Sequence, residues 1–523
     1  MPGFAIKSRV RAPTTGAMEP LRVPERPLRA LMAYRTDIDR RGGAASVMDD
    51  TADALRRLGA EVDVTFEEHP DPSGYDVVHA VNIWSPASAL RQLEHLHATG
   101  APVAWQPFYL GWSEYAWAAT AMSGIGQRPA HERGPLLEAM ASGTLEVNGM
   151  TRHTLNEAVP GLHGAIAHMA ALVDHVCACS TREMQMLSQL AGLNATPFTL
   201  TRHGVDAEIF AGADPEPFRA MAGDEPFVLC VGSVDARKNQ AMLAHALHGH
   251  DLRLILVGPC YEPSYLELVR SLGDDRLVWY DRLPRELVAS AVNAATVHAL
   301  PSYAEGSALA SMEAATAGCP VVVSNRSSEF EYYGDRAVYC DPHDPASIRR
   351  AVDLAAERHA SEPERLTDLA RHIAGYTWDD TAASTLDAWR RAISAGRRRA
   401  RRTAGIADAR STLVLADGAE LCADPSLLVA YAERVTAAHD ATLVITVPED
   451  GQAEVLDRLP AAVAAAGLDA ADSPDLLALP VAPALEGVVA RTAHAVLTAG
   501  SPQGAAAHLP SLVAGPALAT LAV

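Results

Sequence analysis

The stretch PFVLCVGSVDARKNQAMLAHALHGHDLRLILVG, residues 226–258, decides the fold. It opens with an unbroken apolar run, FVLCV at 227–231, and breaks at Gly232. A segment of helical periodicity follows from Gln240, and a second apolar run, LRLILV, closes it at 252–257. Strands that are apolar on both faces belong inside a sheet covered on both sides. Two of them joined through a helix run parallel, with a right-handed crossover. The unit is therefore βαβ.

Working outward, the same alternation continues. RLVWYDR (276–282), TVHALPS (296–302), GCPVVVSN (318–325) and AVYCD (337–341) read as further strands with helices between them. Upstream, LRALMAYR from Leu28, EVDVTF from Glu61, DVVHAVN from Asp76, APVAWQ (101–106), DHVCACS (174–180) and PFTLTRHGV (197–205) form an earlier set. The helix SVMDDTADALRRLG ends on Gly59, a residue type suited to closing a helix. The expected fold class is α/β: two Rossmann-like domains facing a cleft, 28–205 and 206–375, with a helix at 376–396 crossing back to the first. Residues 1–27 read as a flexible tail. GRRRARRTAG (396–405) reads as a solvated helix end and basic linker, and 406–523 as a smaller appended α/β domain without recognisable chemistry.

Composition narrows the function classes. The chain has 523 residues, 43 Lys and Arg against 64 Asp and Glu, and a net charge of −21. Such an acidic chain is not a general nucleic-acid binder, because that affinity rests on cations neutralising phosphates. A hydrophobic fraction of 49% suits a globular protein rather than a disordered one. No apolar run is long enough to span a bilayer. The first thirty residues lack the apolar core of a signal peptide. The seven cysteines sit mostly inside apolar runs without metal spacing, as small core residues of a reducing, cytoplasmic compartment.

Two elements carry chemistry. After FVLCV comes a tight Gly232-Ser233 turn, then Arg237 and Lys238 before a helix, a combination that suits an anion. After TVHALPS comes EGSALASME, in which Glu305 and Glu313 are separated by seven residues. Small residues at Gly306, Ser307 and Ala308 let a ligand approach the backbone, and Glu313 can accept hydrogen bonds from vicinal hydroxyls. Both loops follow strands of one parallel sheet, and ligands of such sheets bind at the carboxyl ends of the strands. Cations and acids converging on one cleft suit an anionic donor bearing polyol groups, such as a nucleotide sugar.

Residues 227–342 resemble the donor domain of the retaining GT-B glycosyltransferases of group 1 (family 4). The shared features are the acid-x7-acid EGSALASME, the strand-turn-RKN element, LILVGP and the tail GDRAVYCDPHDPASI. YTWDDTAASTLDAWRRAI (376–393) resembles the family's final crossing helix, RHGVD (202–206) its hinge, and RRGGA its first-domain glycine loop. The resemblance implies a hexose moved, with retention, from a UDP- or GDP-linked sugar to a hydroxyl acceptor, with no bound metal and no cofactor. It implies that Lys238 and Arg237 hold the diphosphate, Glu305 the transferred sugar and Glu313 the ribose. Gly43, Gly232, Ser233, Gly306 and the amides of Ser307, Ala308 and Leu309 would complete the donor site. The chain departs from the family at Ser233, where an arginine is common, and in EGSALASME, which lacks a glycine and a proline of the usual motif. It also has Gln106 and Pro107 where the first domain often carries an acceptor-positioning histidine. Gln106 can bond a hydroxyl but cannot change charge.

Other candidates were weighed. Thr36-Asp37-Ile38-Asp39 holds an acid-x-acid pair, read as helix-capping rather than metal-binding. Trp84, Trp105, Trp112 and Trp117 cluster with Phe108, Tyr109 and Tyr115; Trp112 and Tyr115 are expected in the acceptor site and the rest in the core. His203 is read as structural, and Glu329 and Glu331 as lying near the donor base. Expected partners are a nucleotide sugar and a carbohydrate, lipid-linked or small-molecule acceptor. A peripheral membrane contact and the oligomeric state stay open. The rival reading is a GT-B partner subunit that holds nucleotide sugar or glycan without turnover. An epimerase or phosphorylase would want first-domain acid and histidine groups or a pyridoxal lysine that the sequence does not display.

Overall fold

The computed structural model describes residues 21, 26–34, 43–81, 83–155, 161–326, 328–469 and 473–512. Its first sheet contains β1 (Arg29–Ala33), β2 (Glu61–Thr65), β3 (Val77–Val81), β4 (Val103–Gln106), β5 (His175–Ala178) and β6 (Phe198–Leu200). All are parallel, in the order β2-β1-β3-β4-β5-β6. The second contains β7 (Phe227–Val231), β8 (Arg253–Val257), β9 (Val278–Tyr280), β10 (Val297–Leu300), β11 (Val321–Ser324) and β12 (Val338–Cys340). Its order, β12-β11-β10-β7-β8-β9, places β7 beside β10, with Val228 opposite Val297. Crossovers leave β7 and β10 in opposite directions, so a crevice opens between their carboxyl ends. The interior residues of both strands are fully buried on both faces, as the unbroken apolar runs require.

The third sheet contains β13 (Thr412–Asp417), β14 (Ala441–Pro448), β15 (Asp475–Val481) and β16 (Ala495–Leu497), in the order β15-β14-β13-β16 and again parallel. It has its own core around Leu443, Leu421 and Leu428. Arg491 donates to the carbonyls of Pro72 and Tyr75, and Arg399 pairs with the buried Asp174 at 2.8 Å. Pro72, Tyr75 and Asp174 precede β3 and β5, so this C-terminal α/β region sits at the amino ends of the first sheet, opposite its carboxyl ends.

The stretch 396–405 is corrected here. Helix Trp378–Thr403 continues through most of it, and Arg399 is held on buried Asp174, while Arg398 and Arg402 are exposed as a helix end would be. Gly396 is chosen by contact: a Cβ there would lie 2.8 Å from Pro102 Cβ. The same helix crosses back onto the first sheet, burying Trp378, Trp389 and Ile393 against Met32, Val47 and Leu55. It begins at the hinge, where Val205 N donates to Tyr376 O at 3.0 Å. Gly204 allows this approach, since a Cβ on it would collide with Trp378 N and the Thr377 carbonyl. The cysteines among the described residues are all unbridged, and all but Cys260 are buried. Among the described residues no helix is long and apolar enough to cross a membrane.

Candidate active site

The loop after β7 is built around Asn239. This buried residue adopts a left-handed backbone (φ 63°) and donates from Nδ2 to Pro301 O at 3.0 Å and Pro342 O at 2.7 Å. One side chain thus ties the RKN turn to the end of β10. Tyr303 N then donates to Arg237 O at 2.9 Å, joining the two loops directly. Gly232 has φ 150°, and a Cβ on it would press on Lys238 Cε at 3.3 Å. A Cβ on neighbouring Gly258 would collide with Gly232 O, so two glycines let the ends of β7 and β8 close up beneath the lysine. Ser233 does not face a ligand position alone: its hydroxyl donates to Asp235, whose other oxygen accepts from Lys238 N.

Arg237, Lys238 and Glu305 converge. Glu305 Oε1 accepts from Lys238 Nζ at 2.6 Å and from Arg237 Nη1 at 2.7 Å; Arg237 Nη1 also donates to Ala304 O. Only 7% of the Glu305 side chain is exposed. Burial pushes its carboxyl up, but the Lys238 and Arg237 charges outweigh that and hold it below the ordinary carboxylate value. The Arg237 guanidinium lies over the Trp84 ring at 5.8 Å, a cation–π contact. Trp84 in turn packs on Trp112 at 4.8 Å and on Tyr115 at 6.4 Å. The sequence reading put Trp84 in the core; it stands at the site, while Trp105 and Trp117 are buried as expected.

Ser307 is buried and its hydroxyl shares a hydrogen bond of 2.8 Å with His203 Nδ1. Burial lowers the His203 pKa to about 4, so the hinge histidine is neutral and structural. Ala308 takes φ 53° and precedes helix Leu309–Thr316 without a side-chain cap, leaving the first-turn amides to other partners. Gly306 packs under the first domain, its would-be Cβ 3.5 Å from Cys179 Sγ and 3.6 Å from Leu110. Glu313 lies deeper, 3.9 Å from Arg285, which also pairs with Asp206. Burial, with Asp206 and Asp50 nearby, pushes its pKa up to about 7. Asp50, from helix Gly43–Arg57 of the first domain, is raised to about 6, first by burial and then by Asp206. Gly43 opens that helix, but the glycine loop before it and Asp37 and Asp39 lie outside the described residues.

Gln106 is engaged within the protein. It is 5% exposed, and His79 Nε2 bonds its Oε1 at 3.2 Å, while Trp389 Nε1 donates to His79 Nδ1 at 2.9 Å. These three fasten the crossing helix to β3 and β4. Burial lowers the His79 pKa to about 4, which suits the neutral tautomer these bonds require. Glu331 also has a role the sequence did not show. Its carboxylate accepts from the amides of Thr181 (2.9 Å) and Arg182 (2.7 Å) at the start of helix Thr181–Ala191 in the first domain. Ser180 and Ser328 hydroxyls meet beside it at 2.8 Å. The two domains are therefore latched across the cleft.

Between them lies a cavity of about 210 Å³. Tyr109, Trp112, Glu114 and Arg182 line it from the first domain, and Tyr303 and Arg326 from the second. Buried Glu183 fixes its wall, accepting from Tyr109 N at 2.7 Å and Cys179 N at 2.8 Å. Neither Glu183 nor Glu114 stood out in the sequence: Glu183 reads locally as the partner of the Ser180 helix cap, and its bond to Tyr109 N, like the Glu114 bonds to His343 and Arg326, spans a long stretch of chain. Among the described residues no three His, Cys, Asp or Glu side chains gather closely enough to hold a metal ion.

Comparison with known proteins bears on this arrangement. Residues 216–372, which contain both loops, match the family described as glycosyl transferases group 1. A D-inositol 3-phosphate glycosyltransferase 1 of Catenulispora acidiphila is 29% identical over 301 residues, covering 53% of this chain and 71% of that protein. A D-inositol 3-phosphate glycosyltransferase of Rhodococcus erythropolis is 28% identical over 246 residues, covering 42% of this chain and 54% of its own length. The match thus spans only about half of the second relative. Among solved structures, sucrose-phosphate synthase from Thermosynechococcus elongatus superposes with a TM-score of 0.53 at 18% identity, over 71% of this chain and 100% of that one. That likeness concerns the fold. Residues 216–372 are thus similar to the glycosyl transferases of group 1, and the chain has the GT-B fold.

Proposed function

We propose that the protein transfers a hexose-type sugar from a nucleotide-diphosphate sugar, UDP- or GDP-linked, to a hydroxyl of a small acceptor, with retention of configuration. One observation carries the reading: Arg237 and Lys238 meet Glu305 at the crevice between β7 and β10. The donor diphosphate displaces the carboxylate from the two cations, and Glu305 turns to hydroxyls of the transferred sugar. Lys238 and Arg237 then meet the charge that grows on the leaving phosphate, the kind of preorganised electrostatic contact that dominates many catalysed reactions. Amides of Ser307, Ala308 and Leu309 hold phosphate or sugar oxygens, and Glu313 the ribose. The acceptor hydroxyl attacks from the side of the leaving group, which takes its proton, so the chain supplies no nucleophile and needs no metal for charge neutralisation.

The relatives' names suggest the acceptor class, a polyol phosphate such as inositol phosphate. Arg182 and Arg326 on the cavity wall suit its anionic group. We assign the reaction to the cytoplasm, where nucleotide sugars are made available. The test is a thermal-shift screen against UDP, GDP and their sugars, followed by turnover with the stabilising donor. A ligand that binds only the native state raises the melting temperature. No stabilisation by any nucleotide would sink the proposal, and stabilisation without turnover would move it to a binding subunit.

A further inference from the structure

Each of the three sheets has two edge strands, and all but one of these edges are blunted among the described residues. β6, β9, β12 and β16 are each 3 residues long. β16 is covered besides: Val496 N donates to Pro510 O at 2.9 Å, and Val496 O accepts from Leu512 N at 2.7 Å. β2 carries exposed Glu61 and Asp63. Short strands, cover and charge are what keep a sheet edge from pairing with another chain.

β15 has none of these. Its 7 residues, DLLALPV, pair with β14 on one side, from Thr442 opposite Asp475 to Pro448 opposite Val481. On the other side no strand pairs with it among the described residues. Its one charge, Asp475, is buried and accepts from the Thr442 hydroxyl of β14, so it does not guard the edge. Pro480 withdraws a single donor near the end of the strand. Side chains alternate across the sheet: Leu476 and Ala478 border the core under helix Gln452–Ala465, and Leu477 and Leu479 the core around Leu415 and Val444. All four are half-buried, as are Leu456 and Val463, two turns apart on that helix.

We propose that β15 pairs with β15 of a second copy of this chain, antiparallel about a two-fold axis, joining two four-stranded sheets into one. An open edge takes another strand through its main-chain groups. A strand bearing charges would have to desolvate them against this apolar strip, whereas the chain's own β15 brings none. The two-fold sets the strip against itself, so Leu477 and Leu479 of one copy meet those of the other. The strip is about 23 Å long and, counting the sheet and one helix layer, about 20 Å deep. Each copy then covers on the order of 500 Å², and the pair about 1,000 Å², the size at which a specific interface holds. The third sheet stands at the amino ends of the first, so the pairing leaves the interdomain cleft open to its ligands.

The test is the mass of the full chain in solution, by light scattering on a sizing column and by sedimentation over a range of concentrations. A particle of twice the 55.4 kDa of one chain is expected, falling to a single chain on dilution. The double variant Leu477→Lys, Leu479→Lys puts charges on the edge, each counted twice across the two-fold, and should raise the dissociation constant about tenfold or more. Circular dichroism shows whether that variant folds. If it does not, hydrogen exchange of the wild type decides: amides of 475–481 should exchange at least about tenfold more slowly in the concentrated protein than in the dilute one. A single-chain mass at every concentration, an unchanged dissociation constant in the folded variant, or exchange at 475–481 indifferent to concentration overturns the inference.

Discussion

Lys238 Nζ lies 2.6 Å from Glu305 Oε1, so the residue placed to hold a donor phosphate is already holding a carboxylate. A ligand diphosphate must compete with that internal anion. Lys238→Ala should weaken nucleoside diphosphate binding by about ten- to a hundredfold, since a charged hydrogen bond contributes about 1.5–3 kcal/mol. Glu305→Gln should do the opposite: it keeps the shape, frees both cations for phosphate and so strengthens nucleotide binding, while transfer falls. Calorimetric titration of both variants, with turnover, distinguishes the outcomes.

Glu313 predicts a dependence of stability on pH. Its pKa rises from 4.5 to about 7 on folding, so the native state binds the proton more tightly than the unfolded chain. The stabilisation is complete below pH 4.5 and is lost as pH rises through 7. At about 1.36 kcal/mol per unit the difference is about 3 kcal/mol. Glu313→Gln, which is neutral throughout, should therefore melt above the wild type at pH 8 and close to it at pH 5. Equal melting differences at both pH values would refute the assignment.

At the hinge, Gly204→Ala should destabilise the protein by about 1–3 kcal/mol or more, because the new methyl meets main chain at Thr377 and Trp378 that cannot yield. Gly212→Ala provides a comparison of a different kind, with open space but a left-handed backbone (φ 70°), and should lose only about 1 kcal/mol. Differential scanning fluorimetry reads both.

Replacing Glu331 by Ala removes the carboxylate that bridges two amides of the opposite domain. The expected result is a more open cleft, read as a larger radius of gyration in small-angle scattering without nucleotide. Unchanged scattering would show that the Ser180–Ser328 bond and its neighbours close the cleft on their own.

The parallel sheets and the two loops after β7 and β10 were legible in the sequence because each depends on local signals. FVLCV and LRLILV announce doubly covered strands, and the RKN and EGSALASME segments lie directly after strands that the topology sets side by side. The acceptor side was not legible in the same way. Gln106 ends a strand, where a site residue could stand, yet it bonds His79 of β3, which Trp389 of the crossing helix holds in place. Trp84 resembles a core tryptophan until Arg237 is brought over it from a distant loop. Arg399 reads as solvated because its partner, Asp174, lies far upstream.

Helix Trp378–Thr403 starts at the hinge, packs along the first sheet and ends at the threshold of the third. With Arg399 on Asp174 and Arg491 on the 72–75 carbonyls, it couples the C-terminal α/β region to the part of the molecule built on the first sheet. Opening of the cleft is then a motion of the donor domain against everything else. The C-terminal region then acts as ballast: whatever binds it holds the first sheet still and leaves the second to swing.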